Sequence, residues 1–322
     1  MVEPPPQSTR WPSGGPSQPG CRETLRSAID RHGAGTLSET LAARRLGPYR
    51  GYAEVLRALD ELCDRGARLT QIGRSASDEP LFAVHLGPAA PTRRTRTTVL
   101  LSGLHPMEWI CVETQLALLE RLVDVDLGAR AVVGIVMANP DGRLRVEEHL
   151  RAGRLRLVRH NARGVDLNRN FDAHWGRKSK LIRFVPWLFR PGNHPASEPE
   201  VAAIAHALGA RRVDRAVSLH SFGGAVLVPS AHRLLPVADD GEHRRWARYV
   251  ARSDGRGRGA ALALPCSWFN FGLTQGGFEL DWFHQRHGAL SLLIECPGGG
   301  LPTHPSRLVQ PFAWFNPREP AP

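Results

Sequence analysis

The chain has 322 residues, 42% of them hydrophobic, with five cysteines and a formal net charge of +11; this length and apolar content support a sizeable core and exclude a disordered or fibrous chain. The cysteines are odd in number, scattered and without metal-type spacing, which excludes a disulfide framework and fits a reducing compartment. The positive charge is almost all Arg, with Lys only at Lys178 and Lys180, and it is spread along the chain, so a basic cleft suited to carboxylates is expected and nucleic-acid binding is not.

Residues 1–20 are Pro, Gly and Ser with almost nothing to bury, and a disordered tail is expected over 1–22. Met1-Val2-Glu3-Pro4-Pro5-Pro6 lacks the basic and apolar regions of a signal peptide, and no apolar run approaches the length of a membrane span. A cytoplasmic protein with no membrane partner is therefore expected. Amphipathic spacing from Glu23 to Leu46, broken at Gly33-Ala34-Gly35, and the Val55, Leu59, Leu62 stripe predict an N-terminal helical segment over 23–66. Leu69–Gly73 and Leu81–Leu86 read as a hairpin around Ser75-Ala76-Ser77-Asp78.

Thr97–Leu104 is a short, apolar, partly β-branched run that predicts a buried strand, and Trp109 to about Val123 has helical periodicity. Between them stands His105-Pro106-Met107-Glu108, at the carboxyl end of a strand, where open α/β sheets place their ligands. On a first helical turn His105 and Glu108 point the same way, and an imidazole and a carboxylate so placed can share a divalent metal. Ala131–Ala138 predicts another buried strand, stopped by Asn139-Pro140-Asp141-Gly142, which reads as a turn. A basic segment leads to Gly164-Val165-Asp166-Leu167-Asn168-Arg169-Asn170-Phe171, and residues 172–196 lack periodicity and read as a long functional loop. Ser197-Glu198-Pro199-Glu200 predicts a helix start, with Ser197 as the cap and Glu200 as its capping-box partner.

Strand Val213–His220 ends in a second histidine, and Ser221-Phe222-Gly223-Gly224 turns it into Ala225–Pro229. Helices follow at about Gly241–Arg252 and Glu279–Gln285, and Leu290–Glu295 predicts a last strand ending in a carboxylate that is costly to bury unpaired. Alternating strands and helices with hairpin-like steps predict an α/β fold: a three-layer α/β/α arrangement around a mixed, mostly parallel twisted sheet. Two strand-end histidines with a nearby Glu form the His, Glu, His set used by catalytic zinc. Glu295 at a third strand end is placed as a general base would be.

These motifs, in this order, resemble the zinc carboxypeptidases of the carboxypeptidase A-like family, over about Leu69 to Phe315. The Arg159-His160-Asn161-Ala162-Arg163 lead-in and Ser197–Glu200 resemble most the bacterial branch that contains murein-peptide amidases. The resemblance implies one Zn2+ per chain held by His105, Glu108 and His220, in a catalytic domain over 67–318. It implies that Asp166 orients His105, that Asn168 and Arg169 grip a substrate carboxylate, and that Arg159 steadies the oxyanion. It also implies that Glu295 takes a proton from the zinc-bound water, and it places Ser221 and Leu280 among the substrate contacts. The expected function is a zinc metallocarboxypeptidase acting on peptides with a free C-terminal carboxylate. The alternatives are a cytoplasmic amidase of murein-derived peptides and a zinc-binding pseudoenzyme that holds peptide termini. One departure bears on these. The family's usual active-site tyrosine should fall near Phe271 to Leu273, where there is none, and the only tyrosines are Tyr49, Tyr52 and Tyr249. Either Glu279 or Leu280 is expected to face the substrate side chain, giving a basic or an apolar preference respectively.

Overall fold

The computed structural model describes residues 20–33, 49–89, 91–92, 94–154, 156–180, 189–209, 211–252, 262–270, 272–297 and 311–317. The expected tail lies outside these residues up to position 19, as do the end of the first helical stretch and the Phe271 position.

Eight strands form one sheet: β1 (Arg68–Arg74), β2 (Pro80–Leu86), β3 (Arg96–Leu101), β4 (Arg130–Ile135), β5 (Val213–Ser221), β6 (Ala225–Val228), β7 (Leu262–Pro265) and β8 (Leu290–Cys296). Their spatial order is β1-β2-β4-β3-β5-β8-β6-β7. The β4-β3, β3-β5, β5-β8 and β6-β7 pairings are parallel and the other three antiparallel. Around the sheet run α1 (Cys21–Gly33), α2 (Tyr52–Asp64), α3 (Trp109–Leu122), α4 (Pro140–Arg151), α5 (Pro199–Gly209), α6 (Asp240–Arg252), the short α7 (Cys266–Phe269), α8 (Glu279–His287) and α9 (Pro311–Phe315). The two-residue period of the strands sorts their side chains into two cores. Val84, Leu100 and Val132 pack with α1, α2 and α3 on one face. Ala83, Val99, Leu101 and Val133 pack with α5 and α8 on the other. Each central strand is buried on both faces, which is why it reads as a continuous apolar run.

Two expectations change, and the strand order adds a finding of its own. Asn139-Pro140-Asp141-Gly142 opens α4 rather than making a turn: the Asn139 side chain accepts from Gly142 N at 3.0 Å and Pro140 occupies the first turn. Asn before Pro serves a helix start as well as a turn, and the sparse apolar residues of this helix hid it. Helix α5 begins at Pro199, and its cap position is Glu198, whose carbonyl accepts from Ala202 N. Ser197 bonds Asn170 and Glu198 instead, and Glu200 accepts from Ala76 N and Asn161. Strands β5 and β6 follow one another in sequence but are not neighbours, because β8 inserts between them.

Candidate active site

Strands β3, β5 and β8 lie side by side and parallel, so their carboxyl ends open onto the same edge. Beyond β3 the chain turns at Gly103, whose φ is +71°. A Cβ there would stand 3.1 Å from the Val136 carbonyl and 3.2 Å from Met137 Cα, so only glycine lets the two strand exits pass this closely. His105-Pro106-Met107-Glu108 follows as a turn closed by Glu108 N donating to His105 O, and α3 starts only at Trp109. The tetrad thus precedes the helix rather than forming its first turn.

His105 Nδ1 lies 2.8 Å from Glu108 Oε1 and 3.1 Å from His220 Nδ1, and His220 Nδ1 lies 3.0 Å from Glu108 Oε2. All three residues are buried. Bonds of roughly 2.0–2.1 Å in a tetrahedron separate ligand atoms by roughly 3.3 Å, so these donors stand a few tenths of an ångström inside metal-binding spacing. Their outward nitrogens are also engaged. His105 Nε2 faces Asp166 Oδ1 at 3.2 Å, and His220 Nε2 faces Glu279 Oε1 at 2.9 Å. A metal histidine commonly donates its far N–H to a carboxylate in this way. The residues present fit zinc.

Asp166 is fully buried and also accepts from Arg159 Nε at 2.8 Å and from Asn168 N at 3.1 Å. Burial pushes its carboxyl up, but the Arg159 and Arg169 charges and the His105 hydrogen bond outweigh burial and hold it well below the usual range. Burial likewise opposes the charge on Glu108, yet His105 and His220 bring it down to about 2. Glu295 pairs in register with His220 across β5 and β8. Its carboxylate has no hydrogen-bond or ion-pair partner among the described residues, and burial, then the Glu108 charge, push it up to about 7.

A cavity of about 150 Å³ brings these groups together: His105, Glu108, His220, Glu295, Arg159, Asn168, Arg169 and Ser221 all line it. The Ser221 hydroxyl is buried without a partner among the described residues. Arg169 is held by Gln275, which accepts from Nε at 2.6 Å, and by the Asn168 carbonyl, which accepts from Nη1; its guanidinium stacks 3.9 Å above the Phe278 ring. Leu227, Phe269, Phe278 and Leu293 give the cavity an apolar side. Leu280, expected at the substrate, is instead fully buried with Ala225, Ala231 and Leu293 and does not line the cavity. Glu279 does not line it either, because its carboxylate is turned to His220.

The sequence reading did not single out Glu279 as the partner of a metal histidine. The signal available was a carboxylate between Phe278 and Leu280, costly to bury without a cation or donor. No tyrosine lines the cavity: the Tyr49 hydroxyl donates to Pro317 O, Tyr52 is buried, and Tyr249 is exposed on α6. Among the described residues, Asp239, His243 and His284 also cluster. There His243 Nε2 accepts from Ser291 N, so its Nδ1 carries the proton and cannot ligate.

The zinc carboxypeptidase family profile matches residues 52–310. The chain belongs to the zinc carboxypeptidase family. Members of that family are hydrolases that use zinc, and this chain is a hydrolase of the zinc carboxypeptidase class. The structure is similar to bovine thrombin-activatable fibrinolysis inhibitor in complex with tick carboxypeptidase inhibitor, with a TM-score of 0.66, 20% identity, and coverage of 84% of this chain and 90% of that one. It is similar to carboxypeptidase A from Helicoverpa armigera, with a TM-score of 0.66, 19% identity, and coverage of 92% and 77%. These two likenesses show a shared fold. A murein-tripeptide amidase, MpaA, from Escherichia coli O157 also matches, with a TM-score of 0.47, 22% identity, and coverage of 79% and 93%. No helix among the described residues is long and apolar enough to cross a membrane.

Proposed function

We propose that the protein is a zinc-dependent carboxypeptidase that hydrolyses the amide bond next to a free C-terminal carboxylate. The observation that carries this reading is one cavity lined at once by three converging side chains able to hold a metal, by Glu295 and by two arginines. His105, Glu108 and His220 would hold the ion, with Asp166 and Glu279 fixing the two rings. When bound, zinc supplies a Lewis acid for the scissile carbonyl and lowers the pKa of water beside it.

Asn168 and Arg169 bind the terminal carboxylate, the guanidinium meeting it through paired hydrogen bonds. Gln275 and the Phe278 ring fix the plane of that guanidinium beforehand. Arg159, anchored through Nε to Asp166, directs its positive charge at the oxygen where negative charge develops. Glu295 takes a proton from the attacking water and returns it to the leaving nitrogen, and its raised pKa suits both steps. Ser221 contacts the bound peptide through its hydroxyl. With Glu279 and Leu280 off the cavity wall, Leu227, Phe269 and Leu293 support an apolar preference at the released residue. A cytoplasmic location belongs to the same proposal and is supported by five free cysteines.

Metal analysis with a C-terminal release assay on mixed peptides tests this reading. Wild type is expected to hold one zinc and release apolar residues. Glu295→Gln is expected to keep its zinc and lose about 10²–10⁴-fold in kcat. Stoichiometric zinc with no cleavage of any peptide, D-Glu and diaminopimelate linkages included, would establish a zinc-binding pseudoenzyme. Cleavage confined to those cell-wall linkages would establish the amidase.

A further inference from the structure

A second, larger cavity of about 570 Å³ lies against the first, and Phe189 lines both. Its wall carries Arg163, Lys178 and Arg190. All three are exposed, and none has a carboxylate within ion-pair distance among the described residues. The one carboxylate on the wall, Glu198, is already satisfied by Asn161 Nδ2 at 2.8 Å and the Ser197 hydroxyl at 2.9 Å. Positive charge therefore exceeds negative charge in a concave site, where low-dielectric walls focus the field on an anion.

The wall is braced by the octet that also shapes the catalytic cavity. Asp166 N donates to Arg190 O at 2.9 Å. The buried Asn170 amide donates to Pro191 O, His194 O and the Ser197 hydroxyl, and its Oδ1 accepts from Glu198 N. A Cβ on Gly164 would meet Arg190 Nη1 at 3.3 Å, so the guanidinium lies directly against the octet's first residue. One segment, Gly164 to Phe171, thus presents Asn168 and Arg169 to the catalytic cavity and braces the basic wall of the second one. Such bracing lowers the ordering cost of ligand binding.

We infer that this basic cavity is a subsite for an anionic group on the acyl side of the substrate, so that the preferred peptides carry an acidic residue upstream of the cleaved bond. The inference rests on the proposed function. On that function Asn168, Arg169 and the apolar wall hold the released residue, and the acyl portion is assigned to the passage at Phe189, which lines both cavities. The aromatic ring lies 5.4 Å from the Arg159 guanidinium and 5.1 Å from that of Arg169. It gives the peptide backbone a wall to cross between the two cavities.

The test compares N-blocked pentapeptides with one fixed apolar C-terminal residue and Glu or Gln at each upstream position. Ion pairs at accessible sites are individually small, and a few acting together give a Glu-over-Gln preference in kcat/KM of about tenfold at one position. That preference should shrink as salt is raised. In Arg163→Gln/Arg190→Gln the ratio should fall toward one, and in Arg163→Glu/Arg190→Glu it should invert; Arg248→Gln, on the exposed face of α6, should leave it unchanged. A ratio near one in wild type, or an unaltered ratio in the double variants, overturns the subsite. Calorimetric titration of the same peptides into zinc-loaded Glu295→Gln protein gives the ratio without turnover. Absent hydrolysis with a preserved binding ratio removes the proposed function and leaves the subsite standing.

Discussion

His220 is held from two sides by carboxylates, Glu108 at one nitrogen and Glu279 at the other. The second of these has a measurable consequence. Glu279 is fully buried, and its Oε2 has no partner among the described residues, so its charge acts mainly on the ring it faces. Glu279→Gln keeps the size and an acceptor oxygen but removes the charge. It is expected to weaken zinc about 10–100-fold in chelator competition, with the melting temperature of the metal-free protein little changed. Equal zinc affinity in the two proteins would reduce Glu279 to a packing residue. At this scale the sequence was most legible where a residue is tied to its own strand end or to a short motif, as with His105, Glu108, His220 and Glu295. Glu279 was not legible as a partner because the ring it serves lies 59 positions away, and no local spacing records that meeting. Leu280 differs from expectation for a related reason: at this helix start Phe278 lines the cavity, while Glu279 turns to His220 and Leu280 to the core.

Among the elements, β2 carries an unusual buried histidine. His85 Nδ1 faces Arg211 Nη2, a donor, and His85 Nε2 faces the Thr70 hydroxyl at 2.7 Å. Burial, then the charges of Arg211 and Arg68, push its pKa down from 6.5 to about 3. The folded state therefore binds this proton less readily than the unfolded chain does. The resulting stability is present in full above pH 6.5 and is lost as pH falls toward the folded value. At pH 5 the loss from this one group is about 2 kcal/mol. His85→Gln should flatten that part of the curve, seen as a smaller drop in urea midpoint between pH 7.5 and pH 5 than in wild type. The strands themselves were legible because burial on both faces leaves long apolar runs. Helix α4 was not, because it buries Asp141, Arg143 and Glu147 beside Val146 and Leu150, a pattern without an apolar stripe. Arg143 stands 3.3 Å over the Trp109 ring, and that cation–π contact does the work an apolar side chain does elsewhere.

For the whole molecule, the metal would tie the exit of β3, through His105 and Glu108, to the end of β5, through His220. Ligand binding to the folded state alone stabilises it by mass action, about 4 kcal/mol at a thousand times the dissociation constant. Stripping zinc with a chelator is expected to lower the melting temperature by on the order of 5–10 °C. Re-adding zinc should restore it in wild type and not in His220→Ala. The layered class was legible from the alternation of strands and helices. The strand order was not, because a neighbour 70 or more residues downstream, as β8 is to β5, leaves no trace in local periodicity.

The insertion of β8 between β5 and β6 has a consequence for the chain as it is made. His220 takes its place in the sheet against Glu295, so the strand bearing it lacks one flank until residues 290–296 have left the ribosome. Synthesis runs from the amino terminus, and every earlier nascent chain has its metal-binding imidazole on an open edge with no base opposite. On the proposed function, hydrolytic competence thus waits for residues 290–296 to be made and to pair with β5.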